Sequence, residues 1–188
     1  AAAVGEIIFN ISNKLNWVRD DKTNELIATS IITDTGNFKY VRNGDVFRII
    51  AELVDAGVNI ESIFNSLNNK PRRTVLTEAG VVSRTEFLYR GRVALAIIDA
   101  QDYKKIDGRG NLILMLLGQI KGVEYVIVLK RQKENQTGVS LRSKSRPIDS
   151  VAMALGGGGH PYAAGAVVRE KLDVVRAKVI ELIKEILK

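Results

Sequence analysis

Four consecutive glycines at residues 156–159, followed at once by His160, constrain this chain more than any other segment. Glycine loses the most conformational entropy on folding and adds no packing, so a run of four needs a structural or functional reason. One interpretation is a concave loop whose backbone N–H groups face an anion, with the imidazole of His160 beside it. A plain turn or linker is the alternative. Apolar residues on both sides, at 153–155 and 166–168, favour an ordered, ligand-facing loop.

The composition limits the classes of protein to which the chain can belong. It has 188 residues, 46% of them hydrophobic, enough for one ordinary domain or two small ones. Cysteine is absent, so disulfides and thiolate metal sites are excluded. The formal net charge of +7 suits a phosphate-rich partner such as a nucleotide or nucleic acid, although a generally basic surface would give the same value. Aromatic residues make up 6%, too few for a broad base-stacking platform.

The apolar segments are all shorter than a membrane span, and no secretory segment opens the sequence. We therefore expect a cytoplasmic protein with no membrane partner.

Hydrophobic periodicity predicts a helical first part. Helices are expected near 4–15, 25–32, 46–54 and 60–67, with Asn43 and Asn59 as caps of the last two and Gly57 ending the third. The first helix would present one apolar face made of Val4, Ile7, Ile8, Ile11 and Leu15. The polar stretch 65–73 contains a proline and predicts a boundary, after which a helix over 73–85 would bridge to the second part.

From residue 86 the pattern changes to short strands alternating with helices. The expected order is β-β-α-β-β-α-loop-β-α, in which the glycine run is the loop and residues 172–187 form the closing helix. The helix at 111–120 is expected to turn Leu112, Met115, Leu116 and Ile120 inward. The fold class is therefore α/β, with a mixed sheet preceded by a mostly helical part.

Two basic groups near the glycine run are candidates for contacting phosphate. Arg142 ends a predicted strand just before the helix that leads into the run, and its planar guanidinium can grip a phosphate with two hydrogen bonds. Ser140, Ser143, Lys144 and Arg146 crowd the same stretch, so a solvated basic turn is the alternative. His160 can donate to a phosphate oxygen or act as an acid or base, but a lone histidine can also be structural.

Asp34 ends the apolar helix at 25–32 and is followed by Thr-Gly. A carboxylate buried there would need a partner, either a metal ion or a helix cap. A lone aspartate is not a complete metal site, because a divalent cation needs several ligands.

These segments together resemble the DHH/DHHA1 phosphoesterase family. The second part is similar to its DHHA1 domain, with Ser-Leu-Arg-Ser at 140–143 and Gly-Gly-Gly-His-x-x-Ala-Ala-Gly at 157–165. The first part is similar to the end of the DHH domain, with Ala-Ala-Val-Gly-Glu at 2–6 and Thr-Asp-Thr-Gly at 33–36. The similarity is to the branch of oligoribonucleases and 3′-phosphoadenosine 5′-phosphate phosphatases.

The resemblance implies an organisation and a set of site residues. Residues 1–68 would be the carboxy-terminal part of a DHH domain, 69–85 a linker helix and 86–188 a DHHA1 substrate-binding domain. The substrate would be a short oligonucleotide or a nucleotide phosphate. It would be bound by the set Arg142, Gly157, Gly158, Gly159 and His160. Asp34 would be one ligand of a Mn²⁺ centre.

The chain departs from the family pattern because it contains no Asp-His-His triplet and lacks the upstream ligands. We therefore expect it to be the carboxy-terminal portion of a larger manganese-dependent phosphoesterase or exonuclease, with the amino-terminal DHH portion as its partner. No catalytic set is complete in the chain, which alone should be inactive. The alternatives are a non-catalytic nucleic-acid-binding module, like the end of alanyl-tRNA synthetases, and a structural or dimerisation domain. Whether two copies associate as a homodimer is left open.

Overall fold

The computed structural model describes residues 3–41, 43–106 and 110–187. The chain forms two compact units, Ala1–Asn69 and Lys70–Lys188. The division falls inside the polar stretch at 65–73, which has few apolar side chains to join one core to the other.

The first unit is helical, as expected. Its described helices are α1 (Val4–Lys14), α2 (Asp21–Asp34), α3 (Asp45–Asp55) and α4 (Ile60–Asn68). The carboxylate of Asp20 accepts from the backbone N–H of Thr23 at 2.7 Å and starts α2, and the side chain of Asn59 accepts from Ser62 and starts α4. Gly57 follows α3 with φ +97°, the left-handed conformation expected of a helix-ending glycine.

The helix α1 forms, but its apolar face is exposed in this unit. The expected inward positions are 42–63% exposed along the helix at Val4, Ile7, Ile8 and Ile11. Instead, the buried positions are Gly5, Glu6, Phe9 and Ser12. The reason is close approach to α2: a Cβ on Gly5 would lie 2.7 Å from the carbonyl oxygen of Ile27.

The second unit combines helices with one sheet. Its described helices are α5 (Arg72–Ser83), α6 (Ala100–Lys105), α7 (Asn111–Gln119), α8 (Asp149–Ala154) and α9 (Leu172–Leu187). Its strands are β1 (Glu86–Leu88), β2 (Val93–Ile98), β3 (Tyr125–Lys133), β4 (Gln136–Ser143), β5 (Gly158–His160) and β6 (Ala163–Val168). The helix expected to act as a linker is α5, and it packs inside this unit against α6, α7 and β2.

The sheet is mixed, with the strand order β1-β2-β3-β4-β6-β5. β2 and β3 are parallel, whereas the other neighbouring strands are antiparallel. The hairpin expected around Arg90 and Gly91 forms between β1 and β2, and a second hairpin joins β3 to β4. β5 was not expected: half of the predicted glycine loop is an edge strand.

Helices cover the two faces of the sheet unequally. On one face, α8 and α9 pack over a core that includes Tyr125, Leu129 and Leu141. On the other face, α5, α6 and α7 pack against β2 and β3, where Ala96 and Val128 are fully buried. This second face continues onto β4, β6 and β5, where the side chains are small or basic apart from the exposed Val167.

The inward face of α7 differs from the expected one. Ile113, Leu114 and Leu117 are buried, whereas Met115 is 51% exposed. The helix is apolar nearly all round, so periodicity alone does not identify the side that packs against β3.

Candidate functional site

Strand register brings Arg142 and His160 to the same part of the sheet. Arg142 in β4 lies opposite Ala163 in β6, and Ala163 lies opposite His160 in β5. Because directly paired residues project from the same face, the side chains of Arg142 and His160 leave the sheet on either side of Ala163. Two residues further along, Ser140, Gly165 and Gly158 form a parallel row.

We call this surface the open face. It consists of Lys130 in β3; Gly138, Ser140 and Arg142 in β4; Ala163 and Gly165 in β6; and Gly158 and His160 in β5. These residues are either small or able to donate hydrogen bonds, and this set contains no carboxylate. Part of the open face is a shallow groove of about 320 Å³ that Ser140, Lys130, Gly157 and Gly165 help to line.

The glycines of the run serve different purposes. A Cβ on Gly157 would lie 2.2 Å from the carbonyl oxygen of Gly165, and one on Gly159 would lie 2.6 Å from the Cα of Ala164. Gly159 also has φ +145°. These two positions therefore need glycine so that the chain can approach β6. Gly158 is exposed, and a Cβ there would meet nothing within 4 Å.

The start of the run is not an amide cradle for an anion. The N–H of Gly156 donates to Met153 at 3.0 Å, and that of Gly157 donates to Ala152 at 2.8 Å, so both close the end of α8. The expected anion contact through the amide of Gly157 is therefore not available. Gly157 contributes to the groove as a surface without a side chain.

The basic side chains that follow Arg142 in sequence do not lie on the open face. Lys144 donates to the carbonyl of Ile120 beyond α7, and Arg146 donates to the carbonyl of Ile186 in α9. Both cations lie near helix carboxyl ends, where positive charge is favourable. The expected cluster around Arg142 is thus reduced to Ser140 and Arg142 on the open face. Arg142 itself donates from Nη1 to the carbonyl of Leu141 at 2.9 Å.

Lys130 is a site residue that the sequence reasoning missed. It lies opposite Gly138 in β4 and shares the open face with Arg142. Burial, and to a smaller extent the positive charge of Arg142, lowers the pKa of Lys130 below its ordinary value of 10.5. The period-two alternation from Val126 through Val128 was the signal that could have placed Lys130 on this face.

Asp34 lies in the first unit, at the end of α2, and its side chain is exposed. The carboxylate of Asp34 accepts from Ser30 Oγ at 3.3 Å. The buried member of the Thr-Asp-Thr-Gly segment is Thr35, whose hydroxyl donates to Ile31 at 2.6 Å and accepts from the N–H of Phe38 at 3.1 Å. Within the described ranges, no three carboxylate or imidazole side chains lie close enough together to hold a metal ion.

The helices of the described residues are also too short or too polar to cross a lipid bilayer.

Comparison with known proteins agrees with the fold. Residues 94–185 match the model of the DHHA1 domain. The chain is 32% identical over 164 residues to the bifunctional oligoribonuclease and PAP phosphatase NrnA of Thermus thermophilus, a match covering 85% of this chain and 49% of the relative. It is 25% identical to the protein of the same name from Bacillus subtilis, covering 98% of this chain and 61% of that protein.

A crystal structure of an exopolyphosphatase-related protein from Bacteroides fragilis has the same fold, with a TM-score of 0.88 and 22% identity, covering 98% of this chain and 57% of that one. The chain thus spans about half to three-fifths of the length of these relatives. The open face, with Arg142, the glycine run and His160, lies inside the matched domain. Residues 94–185 therefore belong to the DHHA1 domain family, and the similarity to the relatives named NrnA extends over most of the chain.

Proposed function

We propose that this chain is the substrate-binding portion of a metal-dependent phosphoesterase that acts on short oligonucleotides or nucleotide phosphates. The observation that supports this most directly is the row Arg142–Ala163–His160 on the open face of the DHHA1 domain. The names of the relatives, oligoribonuclease and PAP phosphatase, support the same class of substrate. A cytoplasmic location is part of the same proposal.

The open face has the chemistry to bind a phosphate. Arg142 supplies a planar, permanently charged donor, and His160 supplies a ring N–H. Neighbouring strands are about 4.8 Å apart, so these two side chains begin about 10 Å from each other, with Ala163 between them. A phosphate over Ala163 could therefore accept from both, and the bare backbone of Gly158 and Gly165 would allow the attached sugar to lie against the sheet.

We assign the metal ion to a larger phosphoesterase of which this chain would be the carboxy-terminal portion. Asp34 is proposed as one Mn²⁺ ligand there, on the strength of the Thr-Asp-Thr-Gly segment at 33–36. Its exposed carboxylate is accessible to further ligands, but the described residues of this chain do not supply them. We therefore assign no reaction step to this chain and propose that it binds substrate without turning it over.

Binding of adenosine 5′-monophosphate to the chain tests the assignment, with calorimetry as the readout. Arg142→Ala and His160→Ala should each weaken binding by about 10-fold to 100-fold, the usual range for a lost hydrogen bond to a charged group. Lys144→Ala is the matched control, because that ammonium contacts Ile120 instead of the open face. Equal losses in all three variants would indicate a general basic surface and contradict the proposal.

The same titration separates the proposal from the alternative of a non-catalytic nucleic-acid-binding module. A substrate site for a nucleotide should show affinity that changes little beyond a few nucleotides. A general binder would show affinity that grows with strand length and falls steeply with salt. Incubation with Mn²⁺ and a short oligoribonucleotide tests the expected lack of turnover, which sustained hydrolysis abolished by Asp34→Asn would contradict.

A further inference from the structure

The groove on the open face lies beside the Arg142–His160 row, and neither Arg142 nor His160 is among the residues that line it. Along β4, Ser140 and Gly138 follow Arg142 on the same face in steps of two residues. Gly138 is about 14 Å from Arg142 along the strand, at about 3.4 Å per residue. Lys130 lies directly opposite Gly138, so the far end of the groove has a cation of its own.

A β-bulge brings a second polar side chain to that end. The pairing of β3 with β4 shifts register between Arg131 and Lys133, which leaves Gln132 as the extra residue. Its amide lies over Gly138, where an added Cβ would be 2.8 Å from Nε2 of Gln132. Gln132 therefore lines the groove together with Lys130, in the space that the missing side chain of Gly138 leaves.

The groove and the neighbouring Arg142 influence each other electrostatically. The charge of Arg142 contributes to lowering the pKa of Lys130, although burial is the larger cause. Two like charges on the same face of a sheet are stabilised by an anion between or beside them. The ammonium of Lys130 is a compact point charge that can follow a phosphate whose position differs from one ligand to another.

We infer that Lys130 and Gln132 form a second anion contact, so that the open face selects ligands with two phosphate groups over ligands with one. The inference rests on the proposed function, because it assigns the first phosphate to Arg142 and His160. Lys130 is then a specificity-determining residue: its loss should weaken binding of a ligand with two phosphates more than binding of a ligand with one.

The experiment compares adenosine 5′-monophosphate with adenosine 3′,5′-bisphosphate by calorimetry, on the 188-residue chain at one fixed salt concentration. The unaltered chain should bind the bisphosphate about 10-fold or more tightly than the monophosphate, the gain of one charge-assisted contact. Lys130→Met keeps the apolar stem and removes the charge, and should reduce that ratio to about 3 or less. Lys130→Arg should retain it.

Arg131→Met is the matched control, because it removes the same charge one residue away, on the opposite face of β3. It should leave the ratio at the unaltered value. If Lys130→Met and Arg131→Met change the ratio equally, the second contact is overturned. Retained affinity of Lys130→Met for the monophosphate shows that this variant is folded, and a variant that lost affinity for both ligands would also contradict a selective role.

The outcome for the unaltered chain distinguishes the two proposals. Binding of the monophosphate that depends on Arg142, with no gain from the second phosphate, overturns only the role of Lys130 and Gln132. Absence of binding of both nucleotides overturns the proposed function and the inference with it. Amine acylation followed by mass spectrometry adds a direct readout: the bisphosphate should protect Lys130 from modification more than the monophosphate does, and equal protection would oppose the assignment.

Discussion

Arg142 and His160 are both paired in register with Ala163, one from each neighbouring strand. The arginine comes from the long strand β4 and the histidine from the edge strand β5, so the antiparallel ladder of β6 fixes their spacing. A loop would leave that spacing adjustable. The position of the two donors is therefore a property of the sheet, and it depends on the glycines that let β5 approach β6.

We expect Arg142 and His160 to act on one phosphate, which a double-mutant cycle can measure. If both donate to the same group, the loss of affinity in the double variant Arg142→Ala/His160→Ala should be smaller than the sum of the single losses, with a coupling of about 0.5–2 kcal/mol. The readout is the affinity for adenosine 5′-monophosphate. Strict additivity would indicate that the two side chains contact separate parts of the ligand or none.

Alanine substitutions in the glycine run should distinguish a position that has no room for a Cβ from one that has open space. Gly157→Ala would place a Cβ 2.2 Å from the carbonyl oxygen of Gly165, and it should lower the free energy of unfolding by at least about 2 kcal/mol. Gly158→Ala is the control, because it meets open space at a backbone conformation without positive φ. It should be neutral or stabilising by up to about 1 kcal/mol in urea unfolding. Similar effects of the two changes would contradict the close approach to β6.

The hydroxyl of Thr35 should stabilise the turn that follows α2. It accepts from the N–H of Phe38, and residues 36–38 all have φ between +59° and +66°, so the turn needs such support. Thr35→Val removes the acceptor and should destabilise the chain by about 1–3 kcal/mol. Thr33→Val is the matched control at an exposed position, with an expected change within about 0.5 kcal/mol. The measurement is the urea unfolding midpoint, and equal midpoints for the two variants would argue against this role.

The lowered pKa of Lys130 predicts a pH dependence of stability in the alkaline range. Between its folded pKa and the ordinary value of 10.5, the unfolded chain binds more protons than the folded one. The contribution of Lys130 to the free energy of unfolding should therefore rise with pH through that window and be constant below it. Lys130→Met should remove this part of the slope, whereas Arg131→Met should keep it. Identical slopes in all three proteins would contradict the environment assigned to Lys130.

The strongest local patterns allowed much of the fold to be predicted. The capping asparagine at 59, the helix-ending Gly57 and the closing helix at 172–187 are correct because each depends on neighbouring residues alone. The exposed apolar side of α1 and the inward side of α7 could not be predicted in that way. Periodicity shows that a helix has an apolar face, but tertiary packing decides which face is covered.

The residue types of the candidate site could be predicted better than the way in which strand pairing arranges them. The run of glycines beside His160 indicated close approach, but not that β5 would pair with β6. Lys144 and Arg146 are neighbours of Arg142 in sequence, but their side chains bond to carbonyls at helix carboxyl ends instead of facing the same surface. Lys130 was missed because it is distant in sequence and reaches the open face only through the pairing of β3 with β4.

The parallel pairing of β2 with β3 has a consequence for the order in which the second unit assembles. The hairpins β1–β2 and β3–β4 close over short distances along the chain, but the two halves of the sheet meet only after the segment between Ile98 and Tyr125 has crossed from one to the other. Contacts between distant parts of a chain form slowly, because the entropy of closing the loop is lost before any contact is gained. We therefore expect the pairing of β2 with β3 to form late in folding. Until it forms, the two hydrophobic hairpins are exposed to contact with other molecules.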